Sequence, residues 1–205
     1  MSSGRGLTGR RSPVGVTSRT VGVTSRTVGA LLVACMATLG SACAPAAERD
    51  AAAEREAELV MRSLMAAFET ADVALIEDLF WAQATYDDFP NQHTYHGLDE
   101  IVGYVTAVHE WADDVYMNVG AVHVTTTGGA VAEWVFSGVQ NRPMGSQVPV
   151  GTGREIVLNG VTVIEIRDGR IIRAADYTDA GALMLQLGGR IELPGGGVVE
   201  LEGAR

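Results

Sequence analysis

The sequence predicts an α+β domain, in which helices pack on one face of a curved antiparallel sheet. Two observations carry this expectation. Apolar residues recur at helical spacing over the first third of the chain from Glu48 onward, and alternate at strand spacing over most of the rest. Helices that precede a continuous run of strands imply segregated layers rather than alternating βαβ units.

The elements follow in order. Ala53, Ala57, Val60, Leu64 and Phe68 repeat every three or four residues within 48–69, with Glu and Arg between them, which describes an amphipathic helix. Asp72 is a candidate N-cap for a short second helix that turns Leu75, Ile76, Leu79 and Phe80 inward. A strand is expected over 82–88, then a polar loop over 90–97. A third helix follows, with Leu98, Ile101, Val105, Val108 and Ala112 on one face. Strands are expected over 115–126, ending at Gly128-Gly129, and over 131–140. After a loop at 143–153 comes a long strand, 155–167. Asp168-Gly169 is a hairpin signal that returns the chain as a strand over 171–177. A short helix, 180–187, closes at Gly188-Gly189. The tail, 190–205, is either a small hairpin around Pro194–Gly197 or unstructured.

The N-terminus reads as an address. Residues 1–47 carry five Arg and no acid. The apolar run Val28–Ala42 is 15 residues long, short of the roughly 20 that span a bilayer. A basic region, a short apolar region and small residues describe a secretory signal over 1–43. Gly40, Ser41 and Ala42 lead into Cys43, resembling a lipobox in which Cys43 is acylated and the protein is held at the cell envelope by its lipid. Cys35 has a better local box but too short an apolar region before it. Cleavage near Ala44–Ala47, giving a soluble secreted protein, is the alternative. The heptamer Gly-Val-Thr-Ser-Arg-Thr-Val at 15–21 and 22–28 is a duplication inside this leader, too short to be a structural repeat.

Composition excludes several chemistries. Lysine is absent, which removes a Schiff base and a Walker-type phosphate loop. From Glu48 onward the chain holds 10 Arg against 25 Asp and Glu, a formal charge of −15. Such a surface repels phosphate backbones, so no nucleic-acid partner is expected. Both Cys lie in the leader region, so the exported domain has no disulfide and no thiol nucleophile.

The stretch from Gly160 to Asp179, followed by Leu185-Gln-Leu-Gly188, resembles the end of SnoaL-like polyketide cyclases of the nuclear transport factor 2-like superfamily. Leu79-Phe80 and then Ala84-Thr85-Tyr86-Asp87-Asp88 look like the helix-to-strand passage of the related ketosteroid isomerases. The resemblance implies a cone-shaped α+β barrel over 44–189, a pocket for a small apolar ligand, no cofactor and a homodimer. A dimer also follows from the outward apolar positions Val131, Val135, Val161, Val163 and Ile171.

Alternation sorts the strand residues. Asp176, Ala174 and Ile172 share one face. Gly160, Thr162, Ile164 and Ile166 face in on the partner strand; Ala132, Trp134, Phe136 and Gly138 on the strand before it; Ala82, Ala84, Tyr86 and Asp88 on the first. This wall is apolar except for two carboxylates, whose pKa desolvation would raise. Asp176 matches the acid/base Asp of the cyclases and epoxide hydrolases, Asp88 the proton-shuttling base of the isomerases, and Tyr86 is a candidate donor. Trp134, Phe136, Thr162, Ile164 and His93 are the expected ligand contacts. Each acid also has a structural role open to it: Asp176 as a helix cap, Asp88 as a turn residue. The family machinery is incomplete. Thr162 stands where the cyclases place a His, Trp134 and Phe136 where epoxide hydrolases need an Arg and a second Asp, and Leu64 where the isomerases carry a Tyr. Asp88, His93 and His96 imitate a metal site without helical spacing, so no metal is expected. Two readings remain open. One is cofactor-free isomerisation or cyclisation of a small hydrophobic substrate, with epoxide hydrolysis as a variant. The other is non-catalytic binding of an apolar ligand at the envelope.

Overall fold

The computed structural model describes residues 46–201. The predicted leader, Cys43 included, lies outside them. Helix α1 spans Ala46–Thr70 and α2 spans Val73–Leu79. The Asp72 side chain accepts from Leu75 N at 3.1 Å, capping α2 as its position suggests. Strand β1 (Phe80–Asp88) turns into β2 (His93–His96), and α3 (Gly97–Trp111) leads to β3 (Ala112–Val124). Then come β4 (Ala130–Gln140), β5 (Arg154–Arg167), β6 (Arg170–Thr178) and α4 (Ala180–Gln186). The tail forms a two-stranded hairpin, β7 (Ile191–Glu192) with β8 (Val198–Val199).

Six strands form one curved sheet in the order β2-β1-β6-β5-β4-β3. The two ends of that order remain edges, so the expected cone does not close into a barrel. Nor is the sheet wholly antiparallel, because β1 lies parallel to β6. The region expected as a loop over 90–97 contains β2, which pairs antiparallel to β1 as the outer edge. The β5–β6 turn has Asp168 and Gly169 both at positive φ, 49° and 73°, the backbone a tight hairpin requires.

The concave face receives α1 and α3. Met61, Leu64 and Met65 from α1, Ile76 from α2, and Ile101 and Val105 from α3 are fully buried against Ala132, Ile164, Ile171 and Ala174 of the sheet. Burying side chains of this size contributes about 1.5–3 kcal/mol each.

Two bulges alter the expected facing. The β5–β6 register shifts between Glu165 and Ile166, so Ile166 pairs with Ile171. Ile171 is therefore in the core, not on the outer face, and Ile172 is only half-buried. Likewise the β1–β6 register shifts between Phe80 and Thr85. Phe80 is buried in place of Ala82, which is exposed. Past both bulges the alternation is regular, and the carboxylates lie in those regular ends.

Candidate active site

Asp176 sits near the end of β6 with 6% of its surface exposed. Its neighbour across β5 is Thr162, and across β1 it is Asp88. The sheet thus lays Asp88, Asp176 and Thr162 in one row on the concave face. Thr162 Oγ1 donates to Asp176 Oδ1 at 2.5 Å and accepts from Trp134 Nε1 at 2.8 Å. From the helix side, Tyr104 Oη donates to Asp176 Oδ2 at 3.0 Å. Both carboxylate oxygens are therefore held, one from the sheet and one from α3.

Gly160 makes the Trp134 bond possible. The two are register partners, and the indole lies across the glycine. A Cβ there would stand 2.2 Å from the Trp134 ring. With no side chain at 160, the indole N–H reaches Thr162.

Burial pushes the Asp176 pKa up to about 6. Hydrogen bonding from Thr162 and Tyr104 opposes the rise, as does the nearby Tyr86 hydroxyl, and the neighbouring Asp88 charge adds to it. Burial also raises the phenols of Tyr86 and Tyr104, further assisted by the Asp176 charge. Both thus stay protonated and can donate at neutral pH. The Tyr86 hydroxyl is fully buried close to Asp176 and Thr162, yet outside hydrogen-bonding geometry with either. Among the described residues it is the buried side-chain polar atom left without a partner. Asp88 is 3% exposed; Asn91 Nδ2 donates to its Oδ2 at 2.7 Å, and the Asn91 backbone N–H to Oδ1 at 3.4 Å.

These groups border a cavity of about 530 Å³, within the usual range for small-molecule sites. Asp88, Asp176, Thr162, Trp134 and Phe136 are on its wall, with Tyr95, Tyr104, Trp111, Met117 and Leu158. The exposed residues Asn91 and Gly145–Gln147 form its solvent edge. Two expected contacts lie elsewhere. Ile164 is packed in the core opposite Ala174, and His93 is exposed on β2 with its ring edge-on to Tyr95 at 4.5 Å. Tyr86 is not on the wall either; only its hydroxyl approaches the carboxylate. Among the described residues no three His, Cys, Asp or Glu side chains converge as metal ligands.

Tyr104 escaped the sequence reading, although its spacing was informative: it lies three residues after Ile101 and four before Val108, on the helix face already assigned to the interior. It stacks on Tyr95 at 4.6 Å and meets Tyr86 at 4.8 Å and Phe68 at 5.8 Å. This aromatic cluster fixes the hydroxyl that Leu64 cannot supply.

No curated protein matches the sequence. Solved structures share the fold at low identity. A candidate SnoaL-like polyketide cyclase from Jannaschia sp. CCS1 superposes with a TM-score of 0.58 at 17% identity, over 65% of this chain and 92% of the other. IdmH, a candidate polyketide cyclase from Streptomyces antibioticus, gives 0.55 at 19% identity, over 64% and 97%. A protein with a ketosteroid isomerase-like fold from Catenulispora acidiphila, in complex with trimethylamine, gives 0.55 at 18%, over 63% and 92%. The SnoaL-like domain family model matches residues 61–174, from the middle of α1 through most of β6. The chain belongs to the SnoaL-like domain family, within the nuclear transport factor 2-like superfamily.

Proposed function

We propose that the cavity is a cofactor-independent acid/base site in which Asp176 moves a proton on a small hydrophobic substrate. The observation that carries this reading is a buried carboxylate, with a pKa of about 6, on the wall of an apolar cavity. Such a group is ionised enough at neutral pH to accept a proton and basic enough to hold it. The step is abstraction of a C–H proton next to a carbonyl. The electron pair passes to the carbonyl oxygen and the proton to Asp176. Return of the proton to another carbon is isomerisation; attack of the enolate carbon on a second carbonyl of the same molecule is cyclisation. Thr162 and Tyr104 keep the carboxylate aimed and stabilise its charged form. Epoxide hydrolysis gains no support, since Trp134 and Phe136 occupy the positions where an Arg and an Asp would orient water.

The binding-only reading draws on one observation: both Asp176 oxygens already accept hydrogen bonds, and Asp88 is bonded to Asn91. Exchange of α-protons separates the two. A bicyclic ketone such as 2-tetralone, followed by NMR in D2O with the full chain, is expected to exchange faster than in buffer. Asp176→Asn is expected to abolish the acceleration while retaining ketone binding. Binding without accelerated exchange supports the binding-only reading.

The site is proposed to work outside the cytoplasm. The support is the basic, apolar and small-residue order of 1–43, ending at Cys43. Mass spectrometry of the membrane fraction is expected to find an acylated N-terminal Cys43. An unmodified N-terminus at 44–48 in the soluble fraction contradicts the anchor.

A further inference from the structure

The cavity wall is aromatic and acidic, and it carries no cation. Its rings include Phe68, Tyr95, Tyr104, Trp111, Trp134 and Phe136; its charged groups are Asp88 and Asp176; no Arg or His belongs to it, and the chain has no Lys. The nearby basic groups are engaged away from the cavity. Arg142 binds Asp113 and the carbonyls of His109, Glu110 and Ala112. The His109 ring is bonded to the Phe68 carbonyl. Arg173, on the outer face of β6, bridges Asp87 and Glu165.

Asp88 and Asp176 are register neighbours on adjacent parallel strands, whose spacing is about 4.8 Å. Their mutual repulsion is uncompensated by any positive group on the wall. The groups that face Asp176 are Thr162 from β5, Tyr86 and Asp88 from β1, and Tyr104 from α3; Tyr95 and His93, the latter its register partner, flank Asp88 from β2. The His93 ring is exposed, edge-on to Tyr95 and off the cavity wall; the others are neutral donors or acids. A ligand anion would meet only negative charge here, and a neutral apolar ligand would leave the repulsion in place. A cation relieves it, and aromatic faces favour a cation further. The acidic surface of the exported domain concentrates cations around it in the same sense.

We infer that the cavity takes a hydrophobic organic amine in its protonated form, its nitrogen beside Asp88 and Asp176 and its apolar body against the aromatic wall. The inference rests on the reading of this cavity as the ligand site and adds the charge of the ligand. Asp88 is the anchoring charge in this arrangement. Asp176 completes the pair when ionised, so cation binding weakens as the pH falls through its titration.

The test is calorimetric titration of the full chain with two probes of the same shape, benzyltrimethylammonium and its neutral carbon counterpart neopentylbenzene. At pH 7.5 the cation is expected to bind at least tenfold more tightly. At pH 5 its affinity is expected to fall severalfold, and Asp88→Asn to weaken it at least fivefold at pH 7.5, with the neutral probe unmoved by either change. Equal or tighter binding of neopentylbenzene overturns the amine inference and leaves the apolar cavity standing. Binding of neither probe, with no change in Trp111 and Trp134 fluorescence, overturns the cavity as a ligand site and the inference with it.

Discussion

Thr162 Oγ1 lies 2.5 Å from Asp176 Oδ1 and receives the Trp134 indole N–H on its other side. The position that the cyclase resemblance reserves for a His is filled by a hydroxyl that relays one hydrogen bond into the carboxylate. A hydroxyl can donate and accept at once, so Thr162 satisfies two buried polar groups and leaves none of its own exposed. The pairing opposes the rise that burial imposes on the Asp176 pKa and ties β4, β5 and β6 together at the cavity wall.

The Asp176 burial has a pH signature in stability. Its pKa rises from 3.8 to about 6 on folding, so the folded state holds the proton more strongly than the unfolded one. The stabilising contribution of the protonated group is complete below pH 3.8 and is lost as pH rises through about 6. The shift amounts to roughly 3 kcal/mol. Asp176→Asn removes that loss. Urea unfolding of both proteins is expected to show the variant gaining on the parent between pH 4 and 6, and at least as stable at pH 7. A variant less stable than the parent at pH 7, with a gap that does not narrow as pH rises, contradicts the assignment.

Thr162→Val keeps the volume and removes the relay. Trp134 Nε1–H and Asp176 Oδ1 each lose a buried partner, at a cost of about 1–3 kcal/mol per group. The same loss is expected to raise the Asp176 pKa further, because the Thr162 bond lowers it. Thr162→Ser restores both bonds and is expected to return the pKa and most of the stability. Urea titration and carboxyl NMR read the two effects; an unchanged pKa in Thr162→Val counts against the relay.

Gly160→Ala is predicted to act at a distance. The added methyl meets the Trp134 ring at 2.2 Å, so the indole must move off Thr162. Overpacking of this kind costs about 1–3 kcal/mol. The expected readout is a shift in tryptophan emission in Gly160→Ala that Trp134→Phe abolishes. A Gly160→Ala spectrum and unfolding midpoint identical to the parent contradict the packing described.

The outer sheet face carries Val131, Val135, Val161 and Val163, with Val157 and Tyr177 each 46% exposed. Ile171 does not contribute to it. We propose that a second copy covers this face. Val161 lies between Glu133 and Tyr177 in register, so Val161→Glu sets a second carboxylate beside Glu133 in the middle of this face, a like-charge pair that a covering copy would have to bury. Sedimentation at micromolar concentration is expected to give a dimer for the parent and a monomer for the variant; a monomeric parent refutes the proposal.

The sequence carried the order of elements because each long segment has one clear period. It carried the facing of Ala132, Trp134, Phe136, Gly138, Ala84, Tyr86, Asp88 and Asp176 because those stretches keep strict alternation. It misplaced Ile171, Ile172 and Ala82 because the strands are bulged there, and neither bulge has a Gly or Pro to announce it, whereas Phe80 is buried as its helical spacing indicates. Strand β2 went unread because His93-Thr94-Tyr95-His96 is four residues with no apolar alternation. Helical spacing beside Ile101 and Val108 marks Tyr104 as interior, but the carboxylate its hydroxyl meets lies 72 residues away on β6, a contact that no local period encodes. The Thr162 relay depends on how the Trp134 indole lies over Gly160, a rotamer that no spacing in the sequence encodes.

The measurement that tests the account most directly is the Asp176 pKa in the full chain, followed through its carboxyl carbon by NMR and assigned with Asp176→Asn. A carboxylate desolvated at the cavity wall, held by Thr162 and Tyr104 and repelled by Asp88, is expected to titrate at about 6. A value at or below the 3.8 of an ordinary Asp would mean that Asp176 is solvated and serves the fold alone, and the acid/base site would fall with it.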